Sequence, residues 1–148
     1  MTRRFAGVDG LLADARSRLV RLDPVAAAAA VRAGALLVDI RPHSQRLAEG
    51  EIPGSVIIER NHLEWRLHSD SGAPIAAASP AQRWIVVCSE GYTSSLAADA
   101  LNSIGVEATD LIGGFHAWAA AGLPVALGGT PAESWVQRVH LRSARVAS

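Results

Sequence analysis

Trp84-Ile85-Val86-Val87-Cys88-Ser89-Glu90-Gly91-Tyr92-Thr93-Ser94-Ser95-Leu96-Ala97-Ala98 reads as a buried strand ending on a cysteine, then a tight loop, then a helix. The run from Trp84 to Cys88 is apolar throughout rather than alternating, which suits a parallel strand covered on both faces. Gly91 permits positive φ in mid-loop, and Ser94 or Ser95 supplies a cap for the following helix. A loop that curls from strand end to helix start directs backbone N–H groups inward. The helix adds about half a positive charge at its N-terminus, so the place favours an anion. A thiolate is such an anion and is the nucleophilic form of cysteine. The same position equally suits a small buried hydrophobe, the commoner use of a strand-terminal cysteine.

Working outward, two further apolar runs, Ala35 to Ile40 and Val56 to Ile58, predict strands of the same kind. Val8, Leu11, Leu12, Ala15 and Leu19 recur at helical spacing, which predicts an amphipathic N-terminal helix. Asp23-Pro24 provides an N-cap and first-turn proline for an alanine-rich helix that Gly34 ends. Helices are also expected over 62–68, 94–104 and 115–121. The pattern predicts an α/β, three-layer domain with a central, mainly parallel sheet flanked by helices. The organisation expected is an N-terminal helical extension over 1–23, one domain over 24–126 and a tail over 127–148, where Trp135 and Val139 suggest a last packing helix.

A chain of 148 residues fits one domain, and its 14 basic and 14 acidic residues leave no basic face for nucleic acid. No apolar run approaches the roughly 20 residues that span a bilayer. Asp9 and Asp14 interrupt any apolar leader, so a soluble, cytoplasmic protein without a membrane partner is expected. One cysteine excludes an intrachain disulfide. His43, His62, His68, His116 and His140 lack metal-ligand spacing and are read as surface or packing residues, and the four tryptophans as core or helix-docking residues. Neither metal nor cofactor is expected.

Cys88-Ser89-Glu90-Gly91-Tyr92-Thr93-Ser94 resembles the active-site loop of the rhodanese family. Leu37-Val38-Asp39-Ile40-Arg41 is similar to the family's strand ending in Asp-x-Arg, and Glu51-Ile52-Pro53-Gly54-Ser55 to its His-Ile-Pro-Gly-Ala turn. Gly113-Gly114-Phe115-His116-Ala117-Trp118 and Gly122-Leu123-Pro124-Val125 match its Gly-Gly-x-x-x-Trp and Gly-x-Pro-Val endings. The resemblance runs from about residue 24 to 126. It implies a sulfurtransferase in which Cys88 takes a sulfane sulfur from a small donor such as thiosulfate, holds it as a persulfide and passes it to a thiol or protein acceptor. On that reading Ser89, Glu90, Gly91, Tyr92 and Thr93 form the substrate-binding cradle, and Asp39 and Arg41 form a supporting ion pair. A homodimer is compatible with the sequence.

Three departures bear on the donor. Thr93 stands where thiosulfate-using members often carry arginine or lysine, Glu90 puts a negative charge into the loop, and Glu51 replaces the turn histidine. Arg60, just past a strand, is a candidate for the missing cation, with the alternative that it pairs with Glu59 or Glu64. Arg46 and Arg66 are further candidates. A non-catalytic binding or sensing module of the same family remains a second function class. A phosphatase or arsenate reductase is a third, but no arginine follows Cys88 at the spacing that chemistry needs.

Overall fold

In the computed structural model, which describes residues 2–132, four strands form one sheet in the order β2-β1-β3-β4, all parallel. They are β1 (Leu36–Asp39), β2 (Val56–Ile57), β3 (Trp84–Val87) and β4 (Ala108–Asp110). The helices are α1 (Val8–Arg16), α2 (Pro24–Arg32), α3 (His43–Glu49), α4 (Leu63–Leu67), α5 (Thr93–Ser103) and α6 (Gly114–Ala120), with a 3-10 turn over Arg60–His62. Asp23 caps α2 as its sequence predicts, its carboxylate accepting from the Ala26 N–H at 2.8 Å.

The apolar character of β3 follows from its place between β1 and β4. Trp84, Val86 and Cys88 pack with Leu63, Leu67, Ala97 and Leu101 from α4 and α5, while Ile85 and Val87 pack with Ala27, Phe115 and Trp118 from α2 and α6. No residue of β3 is more than 2% exposed, so both faces are covered and the three layers are complete. Full burial of each large side chain there contributes roughly 1.5–3 kcal/mol.

Two elements were not anticipated. β4 is three residues long and carries Thr109 and Asp110, so it shows no apolar run. α3 buries a single residue, and that residue is Arg46, so hydrophobic periodicity had nothing to register. The helix expected over 8–20 ends at Arg16, and the chain beyond it runs beside the end of β4. There the Leu22 N–H donates to the Asp110 carbonyl at 3.1 Å, and the Ile112 N–H donates to the Leu22 carbonyl at 2.8 Å. Outside the sheet Glu51 and Ala126 exchange backbone hydrogen bonds. The tail helix expected around Trp135 and Val139, and His140, lie outside the described residues. Among the described residues no helix is long and apolar enough to cross a membrane.

Because all four strands run the same way, Asp39, Ile57, Val87 and Asp110 end together on one edge of the sheet. In such sheets the carboxyl edge is where ligands bind.

Candidate active site

Cys88 is the first residue beyond β3 and is 5% exposed. The chain curls so that the Gly91 N–H donates to its Sγ at 3.2 Å. Gly91 has φ 88°, and Tyr92 follows at φ −91°, ψ −70°. Adjacent left- and right-handed residues turn successive N–H groups toward one side, giving an anion-binding concavity. The eleven-residue α5 starts at Thr93 with no acidic residue in its first turn, so its positive end faces the same loop.

The loop carbonyls are held on the outside. The Phe115 N–H donates to the Cys88 carbonyl at 2.8 Å, and the His116 N–H donates to the Ser89 carbonyl at 3.1 Å. This approach requires glycine: a Cβ on Gly114, whose φ is 62°, would lie 2.4 Å from the Cys88 carbonyl oxygen. Gly114 is thus a requirement of contact with the cysteine loop, whereas a Cβ on Gly113 would instead meet the Ala117 side chain of α6 itself.

Asp39 and Arg41 form the expected ion pair, with Nη2 2.6 Å from Oδ2 and neither side chain more than 1% exposed. Arg41 also donates to the Gly50 carbonyl at 2.8 Å and lies over the Phe115 ring at 4.5 Å. It reaches Glu49 at 3.5 Å, and Glu49 in turn accepts from the Ser89 hydroxyl at 2.7 Å and contacts His116 Nε2. Burial pushes the Glu49 carboxyl up, but the bonds from Ser89 and His116 and the charge of Arg41 outweigh it and hold the group below the ordinary carboxylate value. A cleft of about 410 Å³ beside the loop is lined in part by Gln45, Glu49, Ser89, Glu90 and His116. His116 is exposed, as its reading as a surface residue expects, and it borders this cleft through its contact with Glu49.

On the other side of the loop, Asp110 is fully buried and accepts from the hydroxyls of Ser94 and Ser95, each at 2.8 Å. Arg21 donates to Asp110 from Nε at 2.8 Å and from Nη2 at 3.1 Å, and to the Gly91 carbonyl at 3.0 Å. Arg16 donates to the same carbonyl at 2.8 Å and to Ser95 Oγ at 3.1 Å. Sequence reasoning missed Arg16, Arg21, Glu49 and Asp110, since each reaches the loop from a distant part of the chain.

The other sequence candidates lie as follows. Glu90, Tyr92 and Thr93 are exposed, and Tyr92 faces the Arg16 guanidinium at 6.0 Å. Arg60 is bonded to Glu64 at 2.7 Å, the pairing given as its alternative. Arg46 is a correction: it is wholly buried, donates to Glu51 at 2.9 Å and to the Arg41 carbonyl at 3.2 Å, and so serves the framework. Glu51 is the residue at the turn-histidine position, and its replacement is explained by this partner. Arg66 donates to the Ala73 carbonyl at 3.0 Å.

The sequence model of the rhodanese-like domain family matches residues 23–121. Among solved structures, a Rhodopseudomonas palustris protein of unknown function described as a possible tyrosine phosphatase superposes with TM-score 0.74 at 28% identity, over 84% of this chain and 98% of that one. The thiosulfate sulfurtransferase of Pseudomonas aeruginosa superposes with TM-score 0.60 at 25% identity, over 78% of this chain and 21% of that one. A rhodanese-related protein of Thermoplasma volcanium shares the fold, with TM-score 0.59 at 20% identity over 72% of this chain and 97% of that one. No curated protein matches the sequence.

Proposed function

The chain belongs to the rhodanese-like domain family, and from that premise we propose that it is a sulfurtransferase carrying sulfane sulfur as a persulfide on Cys88. The observation that carries the reading is the Gly91 N–H aimed at Cys88 Sγ from 3.2 Å, inside a loop whose Cys88, Ser89 and Gly91 carbonyls are bonded to donors outside it. In the first step the thiolate attacks the outer sulfur of a small donor. The new S–S bond forms as the donor's own S–S bond breaks, and the electron pair leaves with the remainder, which is sulfite when the donor is thiosulfate. In the second step the thiolate of a small thiol or a protein acceptor attacks the outer sulfur of the Cys88 persulfide, and Cys88 departs as thiolate. Loop N–H groups stabilise the anionic persulfide and the charge spread over each transition state. A lone free thiol of this kind suits a reducing, cytoplasmic compartment.

The Rhodopseudomonas palustris protein brings a phosphatase reading with it. Against it, the sequence from Trp84 to Gln137 contains no arginine or lysine, so the cysteine loop carries no cation of its own at the spacing that would enclose a phosphoryl group. The experiment is to incubate the purified protein with thiosulfate, and separately with a low-molecular-weight persulfide, and to measure intact mass. We expect the mass of one added sulfur, removed by cyanide as thiocyanate and absent in Cys88→Ser. Sulfur transfer undiminished in Cys88→Ser refutes the mechanism, and turnover of an aryl phosphate without sulfur loading replaces it with the phosphatase reading.

A further inference from the structure

The family domain as matched begins at residue 23, yet two side chains from before it bond the cysteine loop. Arg16 is the last residue of α1, and Arg21 lies in the segment that runs beside β4. Both donate to one acceptor, the Gly91 carbonyl, at 2.8 and 3.0 Å. The chain from Trp84 to Gln137 has no arginine or lysine, so any such cation at this loop must come from elsewhere. α1 is built to deliver it: its Ala15 is 2% exposed, the helix packs on α5, and Arg18 ties it there by bonding Asp99 at 2.8 Å.

We infer that Arg16 and Arg21 are positioning residues of the cysteine loop, and that Arg16 supplies from outside the positive charge that Thr93 does not. The inference rests on the sulfurtransferase reading for its chemistry but on the hydrogen bonds for its geometry. The peptide joining Gly91 to Tyr92 is planar and trans, so its N–H points opposite to its carbonyl. Two guanidinia drawing that carbonyl outward therefore turn the Tyr92 N–H away from themselves and toward the inside of the loop. The two arginines differ in charge balance. Arg21 is neutralised by Asp110, whereas Arg16 bonds a carbonyl and a hydroxyl and meets no carboxylate within ion-pair distance among the described residues. Arg16 is also only partly buried and faces the exposed Tyr92 ring, so its charge lies at the loop's outer rim. An anionic donor approaching the loop meets that charge.

The test is Arg16→Met, which keeps the aliphatic stem, with Arg16→Lys and Arg18→Met alongside. Arg18 lies in the turn just beyond α1 and bonds Asp14 of that helix and Asp99 of α5, so it reports general disturbance of how α1 is docked. Two readouts are taken on variants whose urea unfolding matches the parent's. The first is the rate of Cys88 alkylation by neutral iodoacetamide. In Arg16→Met it should fall several-fold. The second is kcat/KM with thiosulfate, which should fall about tenfold or more, with a smaller loss for an uncharged persulfide donor. Arg16→Lys should restore part of the thiosulfate preference through charge while leaving the carbonyl less well held. Adding Thr93→Arg to Arg16→Met should recover thiosulfate use, because it puts the cation back at the loop. Arg21→Met paired with Asp110→Asn examines the second arginine without leaving a buried carboxylate unbalanced. If Arg16→Met matches the parent in both readouts, or if Arg18→Met reproduces its losses, the inference is wrong. Alkylation needs no sulfur transfer. A lowered alkylation rate in Arg16→Met of a protein that never loads sulfur would therefore sink the proposed function and leave the positioning role standing.

Discussion

Gly114→Ala should break the contact on which the loop's shape depends. A Cβ at this position would stand 2.4 Å from the Cys88 carbonyl oxygen and 2.7 Å from both the carbon and the oxygen of the Ser89 carbonyl. Ordinary carbon–oxygen contacts begin near 3.3 Å, so the overlap with Cys88 is roughly 0.9 Å. All three are backbone atoms, and no rotamer change relieves them. The φ of 62° adds a cost of about 1–2 kcal/mol for any L side chain. Moving α6 off the loop would also forfeit the 2.8 Å bond from Phe115 to Cys88, worth about 1 kcal/mol. The repacking adds about 1–3 kcal/mol, for a total of about 3–6 kcal/mol.

Gly105→Ala is the matched control, because Gly105 also has positive φ, at 84°, yet nothing lies within 4 Å of its added Cβ. It should lose only the conformational part, about 1 kcal/mol. Urea unfolding of the two variants and the parent, with slopes compared, measures the difference. The Gly114 variant should also show altered Cys88 alkylation in native buffer, and the Gly105 variant should not. A Gly114→Ala loss within about 0.5 kcal/mol of the Gly105→Ala loss refutes the claim that loop and α6 are in rigid contact.

Two further outcomes follow from the buried charges. Asp39→Asn leaves the unexposed Arg41 with Glu49 at 3.5 Å as its remaining carboxylate, and should cost about 3 kcal/mol in urea unfolding; a loss below about 1 kcal/mol would show that the pair does not hold this edge of the sheet. Burial pushes Glu51 up, but the hydrogen bonds from Thr130 and Arg46 outweigh it and set its carboxyl below the ordinary value of 4.5. A lowered folded-state value means that Glu51 contributes stability above pH 4.5, lost as pH falls through the folded-state value; the stability gap between parent and Glu51→Gln should be full at neutral pH and close in acid, and a gap independent of pH would contradict the assignment.

The sequence showed those features that depend on apolar pattern or on backbone punctuation. β3 was legible because both of its faces are covered and its residues are uniformly apolar, and α2 because Asp23 and Pro24 mark its start. The Asp39–Arg41 pair was legible through the motif resemblance. The elements missed are those stabilised by charge or held by neighbours. α3 turns on a buried arginine whose partner, Glu51, lies beyond the helix end, and β4 is a short strand whose end residue is a buried carboxylate. Neither has a periodicity to read. The site was legible at Cys88 and Gly91 but not at Arg16, Arg21, Glu49 or His116, because hydrogen bonds spanning 40 to 79 positions leave no trace in local spacing. The absence of a cation at Thr93 was visible from the start. Its structural counterpart was not, because Arg16 reads as one more charge on the polar side of an amphipathic helix.

That separation also explains how the loop can keep its form while its own side chains vary. The Cys88 carbonyl is held by Phe115, that of Ser89 by His116, that of Gly91 by Arg16 and Arg21, and that of Tyr92 by the Ser95 N–H at 3.1 Å. A buried carbonyl needs a donor. With these held, the backbone is fixed in the form that keeps the Gly91 N–H on the sulfur. The side chains of Glu90, Tyr92 and Thr93 take no part in this and are exposed. On the proposed function, they are therefore free to bias which donor approaches, while the carbonyl partners fix the cradle into which the sulfur is delivered.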